Sequence, residues 1–185
     1  DRHSFPPRRP SDPDRNFLSN PHYRGLGPAQ LRFMFTGVIM GHWTPVTWLT
    51  LGLDYVLWGM NPFGYHLGNI LLHAGNAAIF FVIARRLLAA ALPAAKAGAL
   101  RVGAVTAAAL FALHPLRAES VAWITERRDV LSACFYLLAA LAYLRSVSTP
   151  GSAAAPGGRD LRWHLASLGF FALGLLSKSM LVSLP

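Results

Sequence analysis

The chain has 185 residues, of which 54% are hydrophobic and only 14% charged, with a net charge of +9 and a mean hydropathy of +0.38. An ordinary soluble domain carries about 25% charged residues, so this composition excludes one. The aliphatic excess turns the basic balance toward anionic lipid and away from nucleic acid, and a lone cysteine, Cys134, excludes an internal disulfide framework.

No initiator Met and no cleavable signal opens the chain, and it ends at Pro185 while still apolar, so it reads as a fragment of a longer protein. Residues 1–28 are rich in Pro, Arg and Asp and lack periodicity, which predicts a polar, extended arm. Within it, DPDRNFLSNPHYRGLG sets Asp12 and Asp14 close together; spacing alone also fits a series of Asx turns. Residues 29–62 predict two interfacial helices, 29–40 and 45–60, each too short to span, since about 20 residues are needed. Trp48, Tyr55 and Trp58 suit a headgroup layer. Asp54 falls mid-helix among apolar residues; it either pairs with a nearby Arg or His in a structural role or serves a function.

After Asn61-Pro62, residues 63–185 predict four membrane helices, at about 63–92, 94–114, 130–145 and 163–184. The first carries His66, Asn69, His73 and Asn76, with the last three sharing one face. That stripe reads as hydrogen-bonding glue between helices, with Gly68 and Gly75 allowing close packing. Ligation of a metal by the two histidines lacks a neighbouring carboxylate, so a divalent cation is not indicated.

Between the second and third spans lies HPLRAESVAWITERRD, residues 114–129, a dense cluster of balanced charge between two oily helices. Each span reverses sides. The 1–62 segment, the 114–129 cluster and Lys178 therefore share one face, and Arg85, Arg86, Lys96, Arg101, Arg145, Arg159 and Arg162 gather on the other. Lys and Arg in short loops mark the cytoplasmic side, which puts the cluster on the non-cytoplasmic face. Residues 118–127 predict a short surface helix with Glu119, Trp123 and Glu126 on one stripe. Arg127 and Arg128 sit where phosphates lie, and Lys178 adds a point charge. The same residues also fit a surface charge network that merely fixes loop geometry and lipid register.

The segments NPHYRGLG, HWTPVTWLTLGLDYVLWGMNPFGYHLGNILLH, FALHPLRAESVAWITERRDVLSACFYLLAALAYL and GLLSKSMLVSLP resemble the membrane region of the transmembrane and tetratricopeptide-repeat-containing proteins, relatives of the protein O-mannosyltransferases. The likeness runs over nearly the whole chain from about Asp12. It implies an all-α, polytopic GT-C-like bundle with interfacial helices in a large first outer loop, integral to a membrane such as the bacterial inner membrane. It implies transfer of a sugar, typically mannose in eukaryotic members, from a polyprenyl-phosphate donor to a protein hydroxyl, with C-terminal repeat domains and their partners in the full-length protein. The family's first membrane helix and repeats are not in these 185 residues.

The family's acidic pair maps onto Asp12 and Asp14, although DPDR separates the acids that the family sets adjacent. Either would serve as the base that takes the acceptor's proton. The set implied for substrate and phosphate is His114, Arg117, Glu119, Glu126, Arg127 and Arg128 from the cluster, with His66 and Lys178 on the same face. Phosphate leaves unprotonated, so the chemistry requires no general acid and no cofactor beyond the lipid-linked donor. Two rival readings remain: a non-catalytic membrane anchor for a repeat domain, and a transporter, which would need polar groups at mid-membrane on several helices.

Overall fold

The computed structural model describes residues 17–39, 41–148 and 160–178. The helices are α1 (Pro28–Thr36), α2 (Pro45–Trp58), α3 (Pro62–Ala91), α4 (Ala97–Leu113), α5 (Leu116–Ala122), α6 (Arg127–Ser148) and α7 (Leu161–Ser177), with a 3-10 turn at Ile124–Glu126. Among the described residues, β-structure is limited to one isolated bridge between Ile39 and His42.

Local sequence accounts for the helix ends. Proline opens α1, α2 and α3, where its missing N–H costs nothing and its φ is already helical. Asn61 Oδ1 accepts the Phe63 N–H at 3.1 Å, and Asp160 Oδ1 accepts the Arg162 N–H at 3.0 Å, so α3 and α7 begin on side-chain caps. Gly59 ends α2 with φ +61°, a conformation open to glycine at little cost.

Four longer helices form the bundle. α3 lies between α4 and α6, and α6 packs along α7. α4 returns antiparallel to α3: Gly103 faces Leu88 at one end, Phe80 stacks on Phe111 at 4.9 Å, and His73 meets the Ala112 carbonyl at 3.0 Å. α7 returns antiparallel to α6, where buried Ala139 and Ala142 allow close approach and Ser167 Oγ donates to the Ala139 carbonyl at 2.9 Å.

α2 lies across the end at which α3 and α6 begin and α7 finishes. Thr47 Oγ1 donates to the Ser177 carbonyl at 2.9 Å, and Asp54 reaches Arg127. A compact core holds the arm and α1 against α2: Phe17, Tyr23, Met34, Leu51 and Tyr65 are all buried, with Phe17 stacked on Tyr23 at 4.9 Å.

Apolar side chains also cover the outside. Leu71, Leu87, Val102, Leu110, Leu113, Leu165 and Leu168 are all exposed, a distribution that water penalises and lipid does not. Pro62–Ala91 and Ile124–Val147 are long and apolar enough to cross a membrane. α4 and α7 have 17 residues each, about 26 Å at the α-helical rise and the short limit for a span. The chain is an all-α bundle of membrane helices.

Several boundaries differ from the sequence expectation. α1 stops at Thr36, and α4 begins at Ala97. α6 starts at Arg127 rather than 130 and continues to Ser148. The single helix expected over 118–127 does not form: Trp123 is extended, at φ −91° and ψ 127°, so Glu119, Trp123 and Glu126 do not share a helix face. The break is stabilised from α3, whose Asn69 Nδ2 donates to the carbonyls of Val121 at 3.3 Å and Trp123 at 3.0 Å. The Val121 carbonyl would otherwise lack a helical partner at the break, whereas the Trp123 carbonyl also accepts the Glu126 N–H at 3.2 Å. The expected fourth span continues past Lys178 into residues outside the described set.

Gly52 marks a close contact of the outer layer: a Cβ there would fall 2.5 Å from Met34 Cε and 3.0 Å from the Gly25 carbonyl oxygen. Gly52→Val is expected to lower stability by about 1–3 kcal/mol through overpacking. Thermal unfolding of the detergent-solubilised protein checks this; an unchanged melting temperature would show that the arm does not seat on α2.

Candidate functional site

The polar residues of one bundle end form a buried layer and an outer rim. In the buried layer, Arg127 at the start of α6 is 3% exposed. Its Nη2 donates to Asp54 Oδ2 at 2.5 Å and to the Tyr65 carbonyl at 2.9 Å, and its Nε donates to Asn69 Oδ1. One guanidinium thus ties α2, α3 and α6 together. Gly68 makes room for it, because a Cβ at that position would lie 2.6 Å from Arg127 Nη2. Burial raises the Asp54 carboxyl above the ordinary carboxylate value, and the Arg127 guanidinium opposes that rise. Asp54 is therefore paired structurally, the first of the two roles its sequence position allows.

The neighbouring residues of α6 face differently. Arg128 Nη2 donates to Glu126 Oε1 at 2.8 Å, and its Nε lies 4.0 Å from Asp129 Oδ1. Lys178, at the end of α7, donates to Asp129 Oδ1 at 2.5 Å. These pairs stand at the rim, with the side chains of Arg128 and Lys178 29% and 27% exposed. Beside them opens a groove of about 750 Å³. Phe80, Ala107, Leu110 and Phe111 form its apolar length, and His114, Ser120 and Asp129 its polar mouth.

The structure places the sequence-derived residues unevenly. Glu126, Arg127, Arg128 and Lys178 come together at one end, and His114 stands in the groove mouth. Glu119 is exposed and His66 half-buried. Asp12 and Asp14 lie outside the described residues, as does the side chain of Arg117. Arg127, expected at the phosphates, is instead buried with its Nε and Nη2 engaged.

Two residues of this end were absent from the expected set. Asp129 joins α6 to α7 and lines the groove; its position immediately before an apolar span was the available signal. Ser120 also lines the mouth, and nothing in the sequence distinguished it. Among the described residues no group of three or more His, Cys, Asp or Glu side chains could hold a metal ion.

The α3 polar stripe is engaged in packing. Asn76 Nδ2 donates to the Val130 carbonyl at 2.8 Å, and His73 Nε2 faces the Ala112 carbonyl while its ring stacks on Phe111. Gly75 meets nothing within 4 Å, so of the two glycines only Gly68 makes space for a partner.

Fold and site together define a polytopic helical membrane protein with an ion-pair rim and an open groove at one end of its bundle. No family model matches the chain, and no solved structure matches it. Protein O-mannosyl-transferase Tmtc1 of Drosophila melanogaster is 37% identical over 142 residues, 72% of this chain and 15% of that protein. Protein O-mannosyl-transferase TMTC2 of Homo sapiens is 33% identical over 139 residues, 72% of this chain and 15% of that protein. Protein O-mannosyl-transferase Tmtc2 of Drosophila melanogaster is 33% identical over 183 residues, 93% of this chain and 18% of that protein. The chain is a relative of the transmembrane and tetratricopeptide-repeat-containing proteins and spans less than a fifth of the length of these three.

Asn69 serves Arg127 and two backbone carbonyls, whereas Asn76 Oδ1 is buried without a partner. Asn69→Leu is expected to cost about 1–3 kcal/mol by stranding buried polar groups, and Asn76→Leu to cost less. Thermal unfolding of the two variants side by side checks the order; the reverse order would mean that the Asn69 contacts are dispensable.

Proposed function

We propose that this chain supplies the outer-face part of a membrane glycosyltransferase that moves a sugar from a polyprenyl phosphate to a protein hydroxyl. The names of its relatives make mannose the sugar to try first. In this reading the α2 end of the bundle faces away from the cytoplasm, in the bacterial inner membrane. The observation that supports it most is the groove: an apolar length suited to isoprene units, a polar mouth, and the partly exposed cations Arg128 and Lys178 at the same end.

The reaction follows from these parts. The acceptor oxygen attacks the anomeric carbon while Asp12 or Asp14 takes its proton. The bond from that carbon to the phosphate oxygen breaks, and the electron pair leaves with the lipid phosphate. Arg128 and Lys178 stabilise the charge that develops on the departing oxygens, exchanging Glu126 and Asp129 for phosphate, and His114 donates a hydrogen bond at the mouth. The transporter reading loses its main support, because Asn69, His73 and Asn76 are directed to backbone carbonyls on other elements. An anchor without catalysis would need the oily helices and no such mouth.

The test uses the full-length protein that contains this segment, reconstituted with polyprenyl-phosphate mannose and a hydroxyl-bearing acceptor protein. Product is expected from the wild type. Loss of the base, by Asp12→Asn or Asp14→Asn, is expected to cut the rate by at least about a hundredfold. Lys178→Ala and Arg128→Ala are expected to lower kcat/KM for the donor by about ten- to a hundredfold. Absence of product with mannose and with other polyprenyl-phosphate sugars would overturn the reading.

A further inference from the structure

Arg127 and Arg128 are adjacent in sequence, yet only Arg127 is buried among other helices. Its contacts reach Asp54 of α2 and Asn69 and the Tyr65 carbonyl of α3. α2 is in turn the seat of the N-terminal arm: Tyr23 is fully buried, and the Tyr23 and Gly25 carbonyls lie against Gly52, one half-turn from Asp54. On the other side, the first turn of α6 carries Arg128 and Asp129, which set the rim and hold Lys178.

We infer that Asp54 and Arg127 are positioning residues: a joint that holds residues 17–25 of the arm, seated on α2, in fixed relation to the rim cations, without either residue touching substrate. The inference rests on the glycosyl-transfer reading for its catalytic consequence, but its mechanical content stands apart from it. A lysine in place of Arg127 keeps the charge and loses the planar fork that serves three acceptors at once. An asparagine in place of Asp54 keeps an acceptor and loses the counter-charge. Both variants therefore loosen the same joint, and the arm shifts relative to the rim.

A phosphate ligand would behave otherwise. If Arg127 contacted the donor, Arg127→Lys would raise the donor KM by losing the bidentate fork, and Asp54→Asn, which frees the guanidinium for the donor, would not.

The experiment takes the full-length protein in nanodiscs, as wild type, Asp54→Asn, Arg127→Lys and the double variant. Sugar transfer from polyprenyl-phosphate mannose is expected to show kcat reduced about a hundredfold in each single variant, the effect of misplacing reacting groups by about 1 Å. KM for the donor is expected to stay within about threefold. The double variant is expected to lose no more than the worse single one, because both substitutions break one unit. A raised donor KM in Arg127→Lys with Asp54→Asn unaffected would overturn the joint and return Arg127 to the phosphate.

Amide hydrogen exchange gives a readout that needs no activity. Both single variants are expected to speed exchange about tenfold or more at two separated places, residues 23–25 of the arm and residues 123–127 before α6. A residue that only stabilises its own turn would loosen 123–127 and leave the arm protected, and that result would overturn the inference. If the wild type makes no sugar product, the glycosyl-transfer reading fails, and exchange still decides the joint.

Discussion

A guanidinium at 3% exposure beside a carboxylate constrains everything around it. Desolvating the two charges costs more than a surface pair returns, and removing one partner strands the other at a cost of about 3–5 kcal/mol. The pair therefore contributes little net stability and a great deal of geometry. Arg127 can occupy its site only if Asp54, Asn69 and the Tyr65 carbonyl arrive together, and only if position 68 has no side chain. Three helices are thereby fixed at one end of a bundle whose other contacts are mostly van der Waals. In lipid, where apolar surfaces gain nothing by leaving solvent, such polar ties carry the specificity that a hydrophobic core supplies in water.

The same end explains why the chain breaks at Trp123. A helix continuing through 118–127 would carry Arg127 round with its own turn. The extended residue lets α6 start afresh with Arg127 inward and Asp129 in its first turn, where the carboxylate also suits the helix N-terminus. Asn69 meets both needs of that arrangement, donating to the carbonyls left at the break and accepting from Arg127.

The architecture was legible where it depends on neighbours in sequence. Asn61-Pro62 announces the start of α3, the apolar lengths announce the spans, and counting reversals puts residue 54, residues 114–129 and Lys178 at one end, where the structure joins them. The Asn69 and Asn76 stripe was legible as glue because a polar face on a membrane helix has few other uses. What could not be read depends on residues far apart. Nothing local separates Arg127 from Arg128; distant partners, among them Asp54, 73 residues earlier, decide which is buried. The break at Trp123 depends on Asn69, 54 residues earlier. Asp12 and Asp14 stand on likeness to the family, since they fall outside the described residues.

The contrast between adjacent arginines bears on how such a site can work. A largely buried pair such as Arg127 with Asp54 is slow to exchange partners, because any new partner must first be desolvated beside it. The partly exposed pairs of Arg128 with Glu126 and Lys178 with Asp129 are better screened by solvent, and so weaker, than the buried one. In the proposed reaction the lipid phosphate would take over the rim cations and leave the buried layer beneath them in place. The carboxylates meanwhile keep the empty rim close to neutral. A buried pair and two weaker rim pairs therefore start from three successive residues of one helix, Arg127, Arg128 and Asp129, so a single backbone segment sets the geometry of both layers.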